Sequence, residues 1–175
     1  MMMKKIVVLA LSLMLVLCAV SALAEDGMQT LNVNESFEIR SVIPEGYTFE
    51  LLEKEGLNII GWLNAGEDRP VVTFSIAYSE EHADVERFND LDEEAVELIR
   101  ESFREMDDVT FEDAKTAYDT RLLRVNGDGF VDIYTIYKGY ELEFVMTPGE
   151  GQELTEEAVA KMIQFISDME FVPVA

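Results

Sequence analysis

The sequence predicts an α+β domain built on an antiparallel β-sheet of about seven strands flanked by two amphipathic helices. Three observations predict it. Apolar and polar residues alternate at period two through much of the span from Phe37 to Met146, the pattern of half-buried strands. The alternation is interrupted by segments around 91–106 and 155–168 in which apolar residues recur every three or four positions, which is the spacing of one helix face. Finally, Asn126-Gly127, Asp128-Gly129 and Gly139 stand between apolar runs, and such steps mark tight antiparallel hairpins.

The elements follow in order. Residues 25–36 read as a loose polar leader, and Phe37-Glu38-Ile39 opens the first strand. Ile43-Pro44-Glu45-Gly46-Tyr47 is a bend, because proline cannot donate to a ladder and glycine permits unusual dihedrals. Tyr47–Leu51 alternates, Leu57–Leu63 is a second run holding the single Trp62, and Asn64–Asp68 is a turn cluster. Val71–Tyr78 follows as a strand with Val72, Phe74, Ile76 and Tyr78 on one face. Asp90 with Glu93 three residues on predicts a helix start, and Leu91, Ala95, Leu98, Ile99, Phe103 and Met106 form its apolar stripe, leaving Glu94, Glu97, Arg100, Glu101 and Arg104 solvated. Val109–Phe111 is a short strand candidate and Thr116–Val125 a longer one. Phe130–Lys138 and Tyr140–Met146 then form a hairpin pair, with Pro148–Gly151 ending it. The closing helix covers about Thr155–Asp168, with Thr155 as N-cap and Val159, Met162, Ile163 and Ile166 as stripe. Phe171–Val174 is a short edge strand, where Pro173 is tolerated. Tyr134 shares one face with Phe130 and Ile136, and Tyr137 shares the other with Val131 and Ile133. Both faces of this strand are apolar, which predicts a central strand covered on each side.

The amino end predicts export. Lys4-Lys5, the apolar run Ile6–Val20 broken only by Ser12, and Ser21-Ala22-Leu23-Ala24 are the three parts of a secretory signal in sequence. The apolar run is shorter than the roughly 20 residues a membrane helix needs. Cleavage after Ala24 starts the mature chain at Glu25 and leaves one domain, 37–175, behind the leader; an uncleaved anchor is the alternative. Cys18 raises lipidation, but Leu17 before it is not small, and a cysteine within an apolar run behaves as a small hydrophobe. If Cys18 leaves with the signal, the mature chain has no disulfide, no cysteine ligand and no cysteine nucleophile. The expected location is therefore extracytoplasmic: medium, periplasm or cell-wall space.

The mature chain keeps 11 of the 13 basic residues against all 36 acidic ones, a net charge of −25. Such a surface repels nucleic-acid phosphate and anionic membrane, so neither is an expected partner. Solubility accounts for the charge; a need for calcium, which takes hard oxygen ligands, is the sharper alternative.

The order of an early strand, the Ile43–Tyr47 bend, a meander with Trp62, a mid-chain helix, a hairpin meander with Gly139-Tyr140 and a closing helix resembles the PsbP-like α/β/α sandwich family over residues 35–174. The resemblance implies a central antiparallel sheet between helices, in an extracytoplasmic accessory or binding module. None of that family's functional residues matches a position of this chain.

Catalytic constellations are sparse. The single His82 lies in the charged stretch Glu80–Asp84, so a solvated histidine is expected rather than a member of a triad, which needs an oriented imidazole beside a serine. There is no Gly-x-Ser-x-Gly elbow, and one histidine without a mature cysteine excludes the common zinc sites. Glycoside hydrolysis needs two carboxylates at a set separation, which the sequence does not single out among 36 acids. No catalytic residue and no cofactor is assigned. Asn126, Asp128 and Asp132 alternate in a manner that invites a calcium reading, with a plain hairpin turn as the alternative. Glu153, Glu156 and Glu157 are explained by the helix dipole. Trp62, Tyr137 and Tyr140 are either core aromatics or a patch for a protein or glycan partner. Three functions follow: a non-enzymatic binding or accessory domain, a calcium-dependent surface or adhesion module, or a carboxylate-dependent hydrolase.

Overall fold

The computed structural model describes residues 28–33, 37–43, 45, 47–55, 58–64, 71–106, 108–149 and 151–174; the side chains of 49, 51–55, 58–64 and 106 are not among them. Residues 1–24, Pro44, Gly46 and the 65–68 turn lie outside the described residues.

Among the described residues ten strands and two α-helices appear in the order β1 (Met28–Asn32), β2 (Phe37–Val42), β3 (Thr48–Glu55), β4 (Asn58–Asn64), β5 (Val71–Tyr78), α1 (Glu93–Met106), β6 (Thr110–Lys115), β7 (Arg121–Gly127), β8 (Phe130–Tyr137), β9 (Tyr140–Thr147), α2 (Glu156–Ser167) and β10 (Glu170–Pro173). Seven strands form one antiparallel sheet in the order β3-β4-β5-β9-β8-β7-β6, and β1-β2-β10 form a second, three-stranded sheet. The fold is α+β, and the large sheet carries helices on both faces.

Register decides the two faces. On one, Val72, Phe74, Ile76, Val131, Ile133, Tyr137, Tyr140, Leu142, Phe144 and Met146 meet Val159, Met162, Phe165 and Ile166 of α2 and Phe37 and Ile39 of β2. On the other, Leu123, Val125, Tyr134 and Ile136 meet Val96 and Phe103 of α1, with Phe88 from a preceding one-turn 3-10 helix. β8 is thus covered on both sides, as its two apolar faces predict. Phe37 joins the small sheet to the large one: its ring meets Tyr137 at 5.0 Å and Tyr140 at 5.5 Å, edge-on in both cases. Such pairs contribute about 0.5–1.5 kcal/mol each beyond area burial.

Several sequence expectations are corrected. Part of the expected leader is strand β1, whose Leu31 pairs with Ile39 and packs against the core. The apolar stripe of α1 is rotated: Val96 is fully buried while Leu98 is 64% exposed. Positions 96, 99 and 103 share the face that meets β7 and β8, and Leu98, two residues from 96, points about 200° away. Arg100 is not solvated; its side chain is 13% exposed and pairs with Glu93, Glu97 and Asp113. The cap of α1 is Asp92, whose Oδ1 accepts the Ala95 N–H at 2.9 Å, while Asp90 accepts from Arg87 N–H in the turn before. The long strand expected from Thr116 begins only at Arg121. Thr116 Oγ1 instead accepts N–H groups of Tyr118 and Thr120, Asp119 takes φ +61°, and this turn carries the chain from the six-residue β6 into β7. The β8–β9 hairpin turns on Lys138 and Gly139, both at positive φ, the requirement of a two-residue primed turn. Thr155 caps α2 as expected, accepting from Ala158 N–H, and β10 runs along the edge beside β2 with Pro173 at its end.

Candidate ligand cleft

Along β2 the inward positions are Phe37, Ile39 and Ser41. Period two would place a third inward apolar residue where Ser41 stands; instead the apolar stripe ends in a hydroxyl. Ser41 is 8% exposed and its Oγ has no hydrogen-bond partner. Buried hydroxyls are normally satisfied, so this atom marks a change in the local environment. Ser41 lines an open cleft of about 580 Å³ between the small sheet and α2, within the range of small-molecule sites.

The cleft is assembled from distant parts of the chain. Met28 comes from β1; Arg40, Ser41 and Val42 come from β2; Ala117 and Tyr118 come from the β6–β7 turn; Lys161, Gln164 and Phe165 come from α2 and Asp168 from its C-cap. The three α2 residues stand at i, i+3 and i+4, which places them on one helix face, and the C-cap follows at i+7. The β6–β7 turn is fastened to that helix by the Ala117 N–H, which donates to the Ser167 carbonyl at 2.7 Å. Among the described residues, six large apolar side chains are exposed, and three of them, Met28, Val42 and Tyr118, line this cleft. Its charges are mixed. Arg40 is held by Glu38, to which its Nε donates at 2.7 Å, and lies 4.0 Å from Glu170. Lys161 stands 5.9 Å over the Tyr47 ring. Gln164 Nε2 donates to Asp168 Oδ1 at 2.9 Å.

On the opposite face of the large sheet, β8 and β9 carry a row of carboxylates. Asp132 pairs in register with Val125 and Val145, and Glu143 with Tyr134 and Ser75. Asp132 is 4% exposed, and its Oδ1 has no hydrogen-bond partner. Burial pushes its carboxyl up to about 7, with the nearby Glu143 charge adding to the rise and backbone N–H groups of Phe144 and Ile133 opposing it. Burial also raises Glu143, and Glu141 adds to this, against a hydrogen bond from Ser75 Oγ at 3.4 Å. Glu141 in turn contacts His82 Nδ1 at 2.8 Å. The histidine is therefore half-buried in a pair, not free in solvent as its charged neighbours suggest. Ser79 Oγ lies 3.4 Å from the same Nδ1. A nucleophile relay needs serine and acid on different ring nitrogens; here both meet one. The carboxylates also stand side by side on one sheet face, whereas glycosidase acids flank a bond from two sides.

The residues singled out by sequence fall as follows. Asn126 shares its row with Val131, on the α2 face, and its amide is engaged by Arg124 and Glu112. Asp132 points to the α1 face, and Asp128 is exposed in the turn. The three do not converge on one point, because neighbouring strand positions alternate faces. Among the described residues no group of three or more His, Cys, Asp or Glu is placed to hold a metal ion. Tyr137 and Tyr140 are buried beneath Phe37 and are core residues, not a surface patch. Trp62 pairs in register with Thr73, and its side chain lies outside the described residues. Sequence reasoning missed the cleft residues; the one local signal was the serine ending the Phe37–Ile39 stripe.

What this geometry defines is an α/β/α-layered domain with a ligand-sized lateral cleft. Comparison of the chain with protein-family models, with curated proteins and with solved structures gives no match. Among the described residues no helix is long and apolar enough to cross a membrane.

Proposed function

We propose that this chain is a secreted, non-enzymatic binding or accessory domain, and that the cleft between β2 and α2 receives its protein or glycan partner. The observation that carries the reading is the coincidence at one place of a partnerless buried hydroxyl, Ser41, with three exposed apolar side chains, Met28, Val42 and Tyr118. Exposed apolar groups beside convergent polar ones are the usual make-up of a binding pocket. The two-layered cover of the antiparallel sheet supports a PsbP-like accessory role, and the amino-terminal signal pattern supports an extracytoplasmic location without lipid at Cys18.

The test is native mass spectrometry of the protein, expressed from its whole coding sequence, against peptide and oligosaccharide libraries. Retention of a ligand that is lost in Tyr118→Ala and Ser41→Val supports the reading. A hydrolase activity abolished by one carboxylate substitution would overturn it.

A further inference from the structure

We infer that the cleft takes a short zwitterionic peptide with apolar side chains, an inference that rests on the cleft being the binding site. The first argument is charge. Arg40 is committed to Glu38, but Lys161 forms no ion pair with a carboxylate among the described residues and meets only the Tyr47 ring. In a chain with 36 acidic residues, a cation left over at a cleft mouth is a receptor for a ligand carboxylate. The second argument is the opposite sign beside it. Glu45, Asp168 and Glu170 also line the cleft, and they suit an ammonium group.

The whole molecule decides between a zwitterion and a simple ion. A net charge of −25 after signal removal repels any anion approaching from solution. A simple cation would find no use for Lys161. A molecule with both charges and no net charge is not repelled and satisfies both ends. The middle of the cleft fits a peptide as well. Ser41 Oγ can donate to or accept from an amide, Gln164 offers a second amide-complementary group, and Met28, Val42 and Tyr118 take apolar side chains. A neutral glycan makes no use of Lys161 or the acids and so gains no charge-assisted hydrogen bond from them.

The experiment is calorimetric titration and thermal-shift measurement with dipeptides of Leu, Val, Phe and Tyr, with their C-amidated and N-acetylated forms, and with neutral oligosaccharides as the contrasting arm. The expected result is a rise in Tm with the zwitterionic dipeptides and at least a tenfold loss of affinity on C-amidation. Lys161→Met should give the same loss for the free peptide and no further loss for the amide, the non-additivity expected of a direct pair. Lys161 is on the surface, so this variant keeps the fold, and circular dichroism checks that it does. Equal affinity for free and amidated peptides overturns the inference. Oligosaccharide binding that Tyr118→Ala abolishes, without dipeptide binding, overturns it too while leaving the cleft as the binding site. Binding of neither class overturns both readings.

Discussion

Asp132 gives the sharpest quantitative test of the fold. It lies on β8 among apolar neighbours, 4% exposed, with one carboxylate oxygen unpartnered, and burial raises its carboxyl from 3.8 to about 7. The folded protein therefore holds a proton between pH 3.8 and about 7 that the unfolded chain has released. Stability from this group is fully present below the unfolded value and is lost as pH rises through the folded one, because the native state binds more protons. At 1.36 kcal/mol per pH unit the full interval corresponds to about 4 kcal/mol. Near the sequence isoelectric point of about 4.1 low net charge promotes association, so the window chosen is pH 5 to 8.5, where about 2.7 kcal/mol remains. Asp132→Asn removes the ionisation and keeps the shape. Urea unfolding followed by Trp62 fluorescence and far-ultraviolet circular dichroism, at intervals across that window, gives both stability curves. The variant should gain about 2–3 kcal/mol on wild type between pH 5 and 8.5, whatever the constant offset from its amide. The general repulsion of a strongly acidic chain, −23 over the full sequence, affects both proteins alike and cancels in the difference. Two curves that run parallel across the window would refute the argument, since Asp132 would then ionise as if in water.

Four further outcomes are expected. In α1, Val96→Ala should cost about 1–3 kcal/mol, from buried methyls lost against β7 and β8, whereas Leu98→Ala should stay within about 0.5 kcal/mol; chemical denaturation measures both. Gly139 and Gly129 both have positive φ, but a Cβ on Gly139 would meet the Ala83 backbone at 3.2 Å and one on Gly129 would meet nothing. Each alanine variant carries the left-handed penalty of about 1–2 kcal/mol, and Gly139→Ala should lose measurably more, read as the difference between their melting temperatures. Thr116→Val leaves the Tyr118 and Thr120 N–H groups without the acceptor they share and should cost about 1–3 kcal/mol, with amide exchange at Thr120 accelerated. Because Asn126, Asp128 and Asp132 do not converge, Asp128→Ala should leave the difference in Tm between chelator and millimolar calcium unchanged; a shift that vanished in the variant would show that the turn binds calcium.

The sheet was readable because its hairpins are local. β7–β8 and β8–β9 each close across two-residue turns, and alternation with a glycine step is enough to announce them. Elements defined by non-local partners were not readable. Residues 28–33 alternate only over Leu31-Asn32-Val33, too short a run to announce a strand, and β1 exists because its backbone pairs with β2. The turn at 116–120 uses a threonine side chain as acceptor and an aspartate at positive φ; aspartate is a turn former, but Asp119 stands without the glycine that marks the two hairpins after it. In α1, Ala95, Val96, Leu98 and Ile99 offer two adjacent stripes, and only docking on β7 and β8 selects the one through Val96.

The candidate site was hidden for the same reason, since its lining runs from Met28 to Glu170 and no window of sequence contains it. Among the described strand residues, buried Thr135 is satisfied by donating to the Arg121 carbonyl, whereas Ser41 on β2 and Asp132 on β8 break the local rule that an inward residue is apolar and stay incompletely paired. Each leaves a buried oxygen unpaired, and such an atom costs about 1–3 kcal/mol. Departures of this kind are where function is sought first, but the two differ in what surrounds them. Asp132 stands in the row that includes Val125 and Val145, and protonation alone relieves its cost, so its effect is on the pH dependence of folding. Ser41 has no proton to gain that would help it; only a hydrogen-bonding partner relieves a hydroxyl, and the cleft at its side is where one can enter. That difference is why the binding reading rests on the serine rather than on the more strongly perturbed acid.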